Sequence, residues 1–204
     1  MTNTQKDNWI EYDELVALVN KLNTEYKPYY KLSSLTTKQF DQLQQLLILK
    51  LYLQYPFRNN FSNMKVIDNK EFKNANKKAN YYIQPNKFYI GSYKTVKTHG
   101  PKLYTIPRSL NYLIKQWLKY NKSDYLLVNY DKVTPMSSNG ITKYLNKIFM
   151  KHYNKKISTS MLRHIIISHY NKDKQSINEL EQENKQIVDI YHHSKYMNNL
   201  YRKI

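Results

Sequence analysis

The sequence predicts an α+β domain that is mainly helical and carries a small three-stranded antiparallel sheet. Apolar residues recur at helical spacing before Lys65 and again after Pro107, whereas the stretch between them contains short β-prone runs such as Tyr81–Ile83. Pro85-Asn86 and His99-Gly100-Pro101 separate these runs, as hairpin turns do. The predicted order is therefore helices, a sheet, and then helices to the end of the chain.

Two amphipathic helices are predicted before the sheet. The second begins at Thr36 or Thr37 and ends before Pro56, because proline cannot continue a helix. The apolar positions are Ile10, Leu15, Leu18, Val19 and Leu22 in the first helix, and Phe40, Leu43, Leu46, Leu47 and Leu51 in the second.

Helices resume after the sheet. One is expected to follow the cap candidates Ser137 and Ser138, another to begin at Ser158 or Thr159, and Ser176–Glu179 is a capping box that predicts one more. The apolar positions of the helix that precedes all three are Leu110, Leu113, Ile114, Trp117 and Leu118.

The charge balance points to a polyanionic partner. Lysine and arginine number 33 against 15 acidic residues, a formal charge of +18, and such a field attracts nucleic acid. Only three glycines occur, which argues against the Gly-rich phosphate loops of nucleotide-binding folds. The longest apolar run, Leu46–Leu53, is interrupted by Lys50 and is too short to cross a bilayer, so we expect no membrane partner.

The remaining composition indicates where the protein works. There is no cysteine, and Met1–Asn8 is polar with no apolar segment of the kind that a signal peptide has. We therefore expect an intracellular protein, located wherever its DNA is. The heavy use of Lys, Asn, Tyr and Ile indicates an AT-rich genome, such as that of a mobile element or a large virus.

Arginine is scarce beside lysine, so each arginine is informative. Arg58 follows the second predicted helix within Tyr55–Asn60, and Arg163 lies within Ser160–His164 near the start of another. Two guanidinium groups that converge can hold a phosphate through paired hydrogen bonds.

These two contexts resemble the two arginine motifs of the tyrosine recombinase (phage integrase) family. Ile190–Ser194 is similar to the family's His-Ser motif, and Tyr93–Lys97, which leads into a predicted hairpin, is similar to its β-hairpin lysine. The resemblance covers roughly Thr36 to the C-terminus, in the family's order of Arg, Lys, Arg, His and Tyr. It implies the fold of a DNA breaking-rejoining enzyme.

The resemblance also implies catalytic roles. Arginine and histidine would stabilise the extra negative charge of a pentacoordinate phosphorus, Tyr201 would attack as the nucleophile, and Lys94 would protonate the leaving 5′-oxygen. No metal, ATP or other cofactor is implied. The implied catalytic residues are Arg58, Lys94, Arg163, His193 and Tyr201, with Lys97, Ser160, His192 and Tyr196 as alternates.

Two departures from the family pattern stand out. Ser160 lies three positions before Arg163, where the family usually has a histidine, and a serine cannot act as an imidazole base. After Arg58 the family often carries a carboxylate that orients the arginine, whereas this chain has Asn59, Asn60 and Phe61. The orientation of Arg58 is therefore expected to be fixed in another way.

The predicted organisation is a lead-in with one helix, residues 1–35, followed by a catalytic domain, residues 36–204. The lead-in is too short for the DNA-clamping domain that the family commonly carries. Four functions stay open. They are a site-specific recombinase or integrase that works as a dimer or tetramer on duplex DNA, a monomeric type IB topoisomerase, a non-catalytic nucleic-acid-binding protein of the same fold, and an unrelated basic RNA-binding domain.

Overall fold

The computed structural model of the chain describes residues 2–172. The helix predicted from Ser176 lies outside the described residues. The helices are α1 (Asn3–Asp7), α2 (Tyr12–Tyr26), α3 (Thr37–Gln54), α4 (Asn69–Asn74), α5 (Val96–His99), α6 (Arg108–Leu118), α7 (Ser138–Tyr153) and α8 (Thr159–Lys172), and a 3-10 helix spans Lys27–Lys31. The strands are β1 (Lys65–Ile67), β2 (Asn80–Ile83), β3 (Lys87–Ile90) and β4 (Lys102–Thr105).

Helix α3 lies at the centre of the core. The Thr36 side chain accepts a hydrogen bond from the Gln39 backbone N–H at 3.2 Å, which satisfies one of the unpaired donors of the first turn. Residues 42–49 are all buried, so the prediction of an amphipathic α3 is wrong. Its buried Gln44 is compatible with the core because its amide exchanges hydrogen bonds of 3.0 and 2.9 Å with the Val128 backbone.

Helix α2 of the predicted lead-in packs against α3. It buries Leu15, Leu18, Val19 and Leu22 on one face, as its periodicity predicts, and these side chains belong to the same core as those of α3. The boundary after residue 35 stays a prediction. The lead-in helix nevertheless shares the hydrophobic core of the rest.

The sheet differs from the predicted one. It has four strands in the order β1-β2-β3-β4, and β1 runs parallel to β2, whereas β2, β3 and β4 are antiparallel. The prediction of a purely antiparallel three-stranded sheet is therefore wrong. The physical reason is the connection from Asp68 to Ala79, which contains the capped helix α4 and so returns the chain to the same end of the sheet.

The two predicted turns also differ from one another. Pro85-Asn86 is a hairpin turn between β2 and β3, as expected. His99–Pro101 is only the end of a longer connection, residues 91–101, which contains α5 between β3 and β4. Gly100 in this connection has a φ of 66°, a backbone conformation that favours glycine.

The helices after the sheet begin where their caps predict. The Ser137 side chain accepts a hydrogen bond from Gly140 N–H at 3.1 Å at the start of α7, and the Ser158 side chain accepts one from Met161 N–H at 3.2 Å at the start of α8. None of the helices within residues 2–172 is both long and apolar enough to cross a bilayer.

Candidate functional site

The turn that carries Arg58 is held by buried aromatic side chains. Pro56 disfavours helical backbone at the residue before it, so α3 ends at Gln54. Phe57 and Phe61 are both fully buried, with ring centroids 5.2 Å apart, whereas Arg58 between them is exposed. The packing of the two phenylalanines therefore fixes the backbone of a turn that exposes the guanidinium.

A tyrosine of α3 also fixes the main chain of this turn. The buried Tyr52 donates a hydrogen bond from its hydroxyl to the Arg58 carbonyl at 3.1 Å. Burial raises the pKa of Tyr52, and the nearby charge of Arg163 acts in the opposite direction. Tyr52 is therefore a neutral hydrogen-bond donor at physiological pH.

Arg163 contacts the same turn from α8. Its side chain is almost entirely buried, with 2% exposed, and its Nη1 donates a hydrogen bond to the Pro56 carbonyl. The structure thus brings the two predicted arginines to one turn, but the exposure of their side chains differs. Arg58 is exposed, whereas Arg163 is part of the interior.

Lys94 lies in the connection between β3 and β4, and hydrogen bonds join this connection to the Arg58 turn. The Asn60 side-chain amide donates to the Ser92 carbonyl at 3.0 Å. Asn80, the first residue of β2, donates to the Asn60 carbonyl at 3.0 Å and to the Ser92 carbonyl at 3.1 Å. The segments that carry Arg58 and Lys94 are therefore fixed relative to one another.

Arg58 and Lys94 line one open cleft of about 470 Å³. Within residues 2–172, the lining has no acidic side chain, and neither the Arg58 guanidinium nor the Lys94 ammonium makes a hydrogen bond or ion pair. Such a cleft favours a bound anion, because its cations have no competing carboxylate. The full lining is Arg58, Asn59, Asn60, Ser62, Asn63, Lys78, Ala79, Asn80, Ser92, Tyr93 and Lys94.

The other predicted site residues have different positions. Ser160 is exposed on the first turn of α8, next to the buried Thr159, whose hydroxyl lies 3.4 Å from Asn59 Oδ1. Lys97 is exposed on α5 and does not line the cleft described above. The predicted residues His192, His193, Tyr196 and Tyr201 lie outside the described residues.

Sequence reasoning missed several residues of this site. Lys78 adds a third cation to the cleft. Asn60, Asn80 and Ser92 link its two walls, which are the turn that carries Arg58 and the connection that carries Lys94. In the sequence, Asn60 stands out only as a residue in place of an expected carboxylate. Its contact with Ser92 spans 32 positions, and no periodicity or spacing in a single sequence signals such a contact.

His164 is a half-buried imidazole next to Arg163. Burial lowers its pKa below the ordinary value of 6.5, and the charges of Arg163 and Arg58 lower it further. His164 is therefore largely neutral at neutral pH.

Stability is expected to decline on mild acidification because of His164. Its pKa is lower in the folded than in the unfolded chain, so the unfolded chain binds the proton more tightly as the pH falls below 6.5. The stabilisation present at higher pH is then lost as the pH passes the folded pKa. The thermal unfolding midpoint should fall less for His164→Gln than for the unmodified chain between about pH 7.5 and about pH 5.5. An equal fall in both proteins would contradict this assignment.

Comparison with known proteins supports the fold. No protein-family model and no curated protein matches the sequence. Among solved structures, the chain is similar to the crystal structure of XerA recombinase, with a TM-score of 0.57 and 14% sequence identity. The match covers 95% of this chain and 57% of the XerA chain, so this chain spans little more than half of that protein. At this identity the similarity shows a recombinase-like fold.

Proposed function

We propose that this chain is a tyrosine recombinase, which cleaves and rejoins duplex DNA through a 3′-phosphotyrosyl intermediate. The observation that carries the proposal is the cleft in which Arg58 and Lys94 meet without a competing carboxylate. Two further observations support the proposal. They are the similarity of the fold to XerA recombinase and the recombinase-like order of motifs that ends at Tyr201.

The proposed reaction exchanges one phosphoester bond for another. The Tyr201 hydroxyl oxygen attacks the phosphorus, the new oxygen–phosphorus bond forms, and the bond to the 5′-oxygen breaks. The tyrosine proton passes to solvent, the Lys94 ammonium gives a proton to the departing 5′-oxygen, and the neutral lysine regains a proton from solvent. A free 5′-hydroxyl later reverses the exchange, so bond energy is conserved and neither ATP nor a metal is needed.

The cleft side chains act on the charge of the phosphate. Arg58 would contact the non-bridging oxygens, where negative charge grows in the transition state, and His193 would add a further donor. Arg163 donates a hydrogen bond to the Pro56 carbonyl and would thereby hold the turn that carries Arg58. The resemblance implies that Arg163 also acts at the phosphate. Ser160, exposed at the start of α8, could donate a hydrogen bond but cannot replace an imidazole base.

The proposed partner is duplex DNA, bound largely through its phosphates. The formal charge of +18 predicts binding that weakens steeply as salt is added. Recombination joins two duplexes and requires several active sites. We therefore propose a dimer or tetramer on DNA as the working form.

Trapping of a covalent complex tests the proposed function. The protein is incubated in EDTA with nicked duplexes whose short cleaved strand diffuses away, so that the intermediate cannot religate. We expect a protein–DNA band that survives SDS and needs no metal or ATP. A protein that shifts these duplexes but forms no such band would be a DNA-binding protein of this fold. Relaxation of supercoiled plasmids of any sequence by the monomer would instead indicate a type IB topoisomerase.

A further inference from the structure

We infer that Asn80 is a positioning residue, which sets the distance between Arg58 and Lys94 through its side-chain amide. The inference rests on the proposed function and goes beyond the catalytic residues that the resemblance implies. Asn80 is half-buried at the start of β2, and it lines the cleft with both cations.

All the hydrogen-bonding groups of the Asn80 amide are directed at the two walls of the cleft. Its Oδ1 accepts from the Ser92 backbone N–H at 2.8 Å, and its Nδ2 donates to the Ser92 carbonyl at 3.1 Å. The same Nδ2 donates to the Asn60 carbonyl at 3.0 Å. The two N–H bonds of the amide are thereby used, one for each wall.

These bonds lie close in sequence to both cations. Ser92 precedes Lys94 by two positions, and Asn60 follows Arg58 by two positions. The Asn60 amide also donates to the Ser92 carbonyl at 3.0 Å, so that carbonyl accepts from both asparagines. A shift of either wall would therefore break at least one of these bonds.

The backbone near Asn80 is adapted to this contact. A Cβ atom on Gly91 would lie 2.7 Å from the Ala79 carbonyl oxygen, closer than side chains tolerate. The Gly91 N–H donates to that same carbonyl at 3.2 Å. Glycine at this position lets the chain before Ser92 approach the residue that precedes Asn80.

The chemistry explains why the distance between the walls matters. In the proposed reaction Arg58 contacts the non-bridging oxygens and Lys94 protonates the 5′-oxygen of the same phosphate. A displacement of about 1 Å in such a site lowers the rate by about 10²-fold. The Asn80 amide thus fixes the backbone of the segment that carries Arg58 relative to that of the segment that carries Lys94.

The substitution Asn80→Asp tests this inference because aspartate has the shape of asparagine but lacks the N–H donors. It places a carboxylate oxygen against the Asn60 and Ser92 carbonyls. We expect the rate of covalent complex formation to fall about 10²-fold. Asn69→Asp is the matched control, since Asn69 Nδ2 donates to the Gln84 carbonyl at 3.1 Å and lies outside the cleft. Its rate should stay unchanged.

A substrate with sulfur in place of the 5′-bridging oxygen separates positioning from a merely structural role. A thiolate leaves without being protonated, so the defect of Lys94→Ala should largely disappear on this substrate. The part of the Asn80→Asp defect that acts through Lys94 should also disappear on the sulfur substrate. A loss of folded protein would instead lower the rates on the oxygen and sulfur substrates equally. Thermal unfolding of each variant is measured alongside. If Asn80→Asp does not fold, Asn80→Ala, which removes all three amide bonds without adding a charge, gives the same comparison.

The outcomes are distinguishable. If the unmodified protein forms no covalent complex on either substrate, the proposed function fails and the inference fails with it. If it forms the complex but folded Asn80→Asp reacts normally, or is slowed equally on both substrates, only the inference is overturned.

Discussion

Replacing Arg58 by alanine is expected to lower the rate of covalent complex formation about 10²- to 10³-fold with little loss of stability. The guanidinium is exposed in the cleft and bonds no residue within the described range 2–172, so its removal costs the fold little. In the proposed transition state, however, it is one of few fixed donors to a growing negative charge. Single-turnover cleavage and thermal unfolding of the same preparation measure the two effects.

Arg108→Ala is the matched control for this experiment. Arg108 is also exposed, and it begins α6 without lining the cleft. Both substitutions remove one positive charge, so a general electrostatic effect on DNA binding would appear in both. Equal losses of cleavage in the two variants would show that Arg58 acts only through net charge.

Replacing Arg163 by alanine is expected to reduce both activity and stability. The side chain is 2% exposed and holds the Pro56 carbonyl, so alanine leaves a cavity and an unpaired carbonyl in the interior. A loss of about 3 kcal/mol is expected. For a chain of this size that corresponds to a fall of about 6–12 °C in the unfolding midpoint. Differential scanning calorimetry measures this shift directly.

Arg163→Lys distinguishes the shape of the guanidinium from its charge. Lysine keeps the positive charge and most of the volume but lacks the planar set of donors. We expect it to recover part of the stability while cleavage stays low, because the turn that carries Arg58 is no longer held in place. An Arg163→Ala protein as stable as the unmodified chain would contradict the buried position of this side chain.

Much of the fold could be predicted because its signals are local. The caps at Thr36, Ser137 and Ser158 act within a few residues of themselves, and each marks the start of a helix in the structure. The alternation of turns and β-prone runs likewise located the sheet. Arg58 and Lys94, chosen from their motifs, lie in the same cleft.

Most of the errors concern contacts between distant parts of the chain, whereas the direction of β1 depends on a helix that directly follows it in the sequence. The direction of β1 is set by the short helix Asn69–Asn74, which the apolar pattern does not reveal. The burial of α3 on all sides depends on the elements that surround it, and its glutamines disguise this in the sequence. The Asn60–Ser92 bond and the burial of Arg163 against Pro56 arise only once the chain is folded.

The identity of the residue that carries the DNA tests the central claim most directly. The trapped complex is digested with a protease and a nuclease, and the modified peptide is sequenced by mass spectrometry. The proposal predicts a phosphodiester between Tyr201 and a 3′-phosphate, and no complex from Tyr201→Phe. A modification on Tyr196, a link to the 5′ end of the cleaved strand, or a complex that persists in Tyr201→Phe would contradict it.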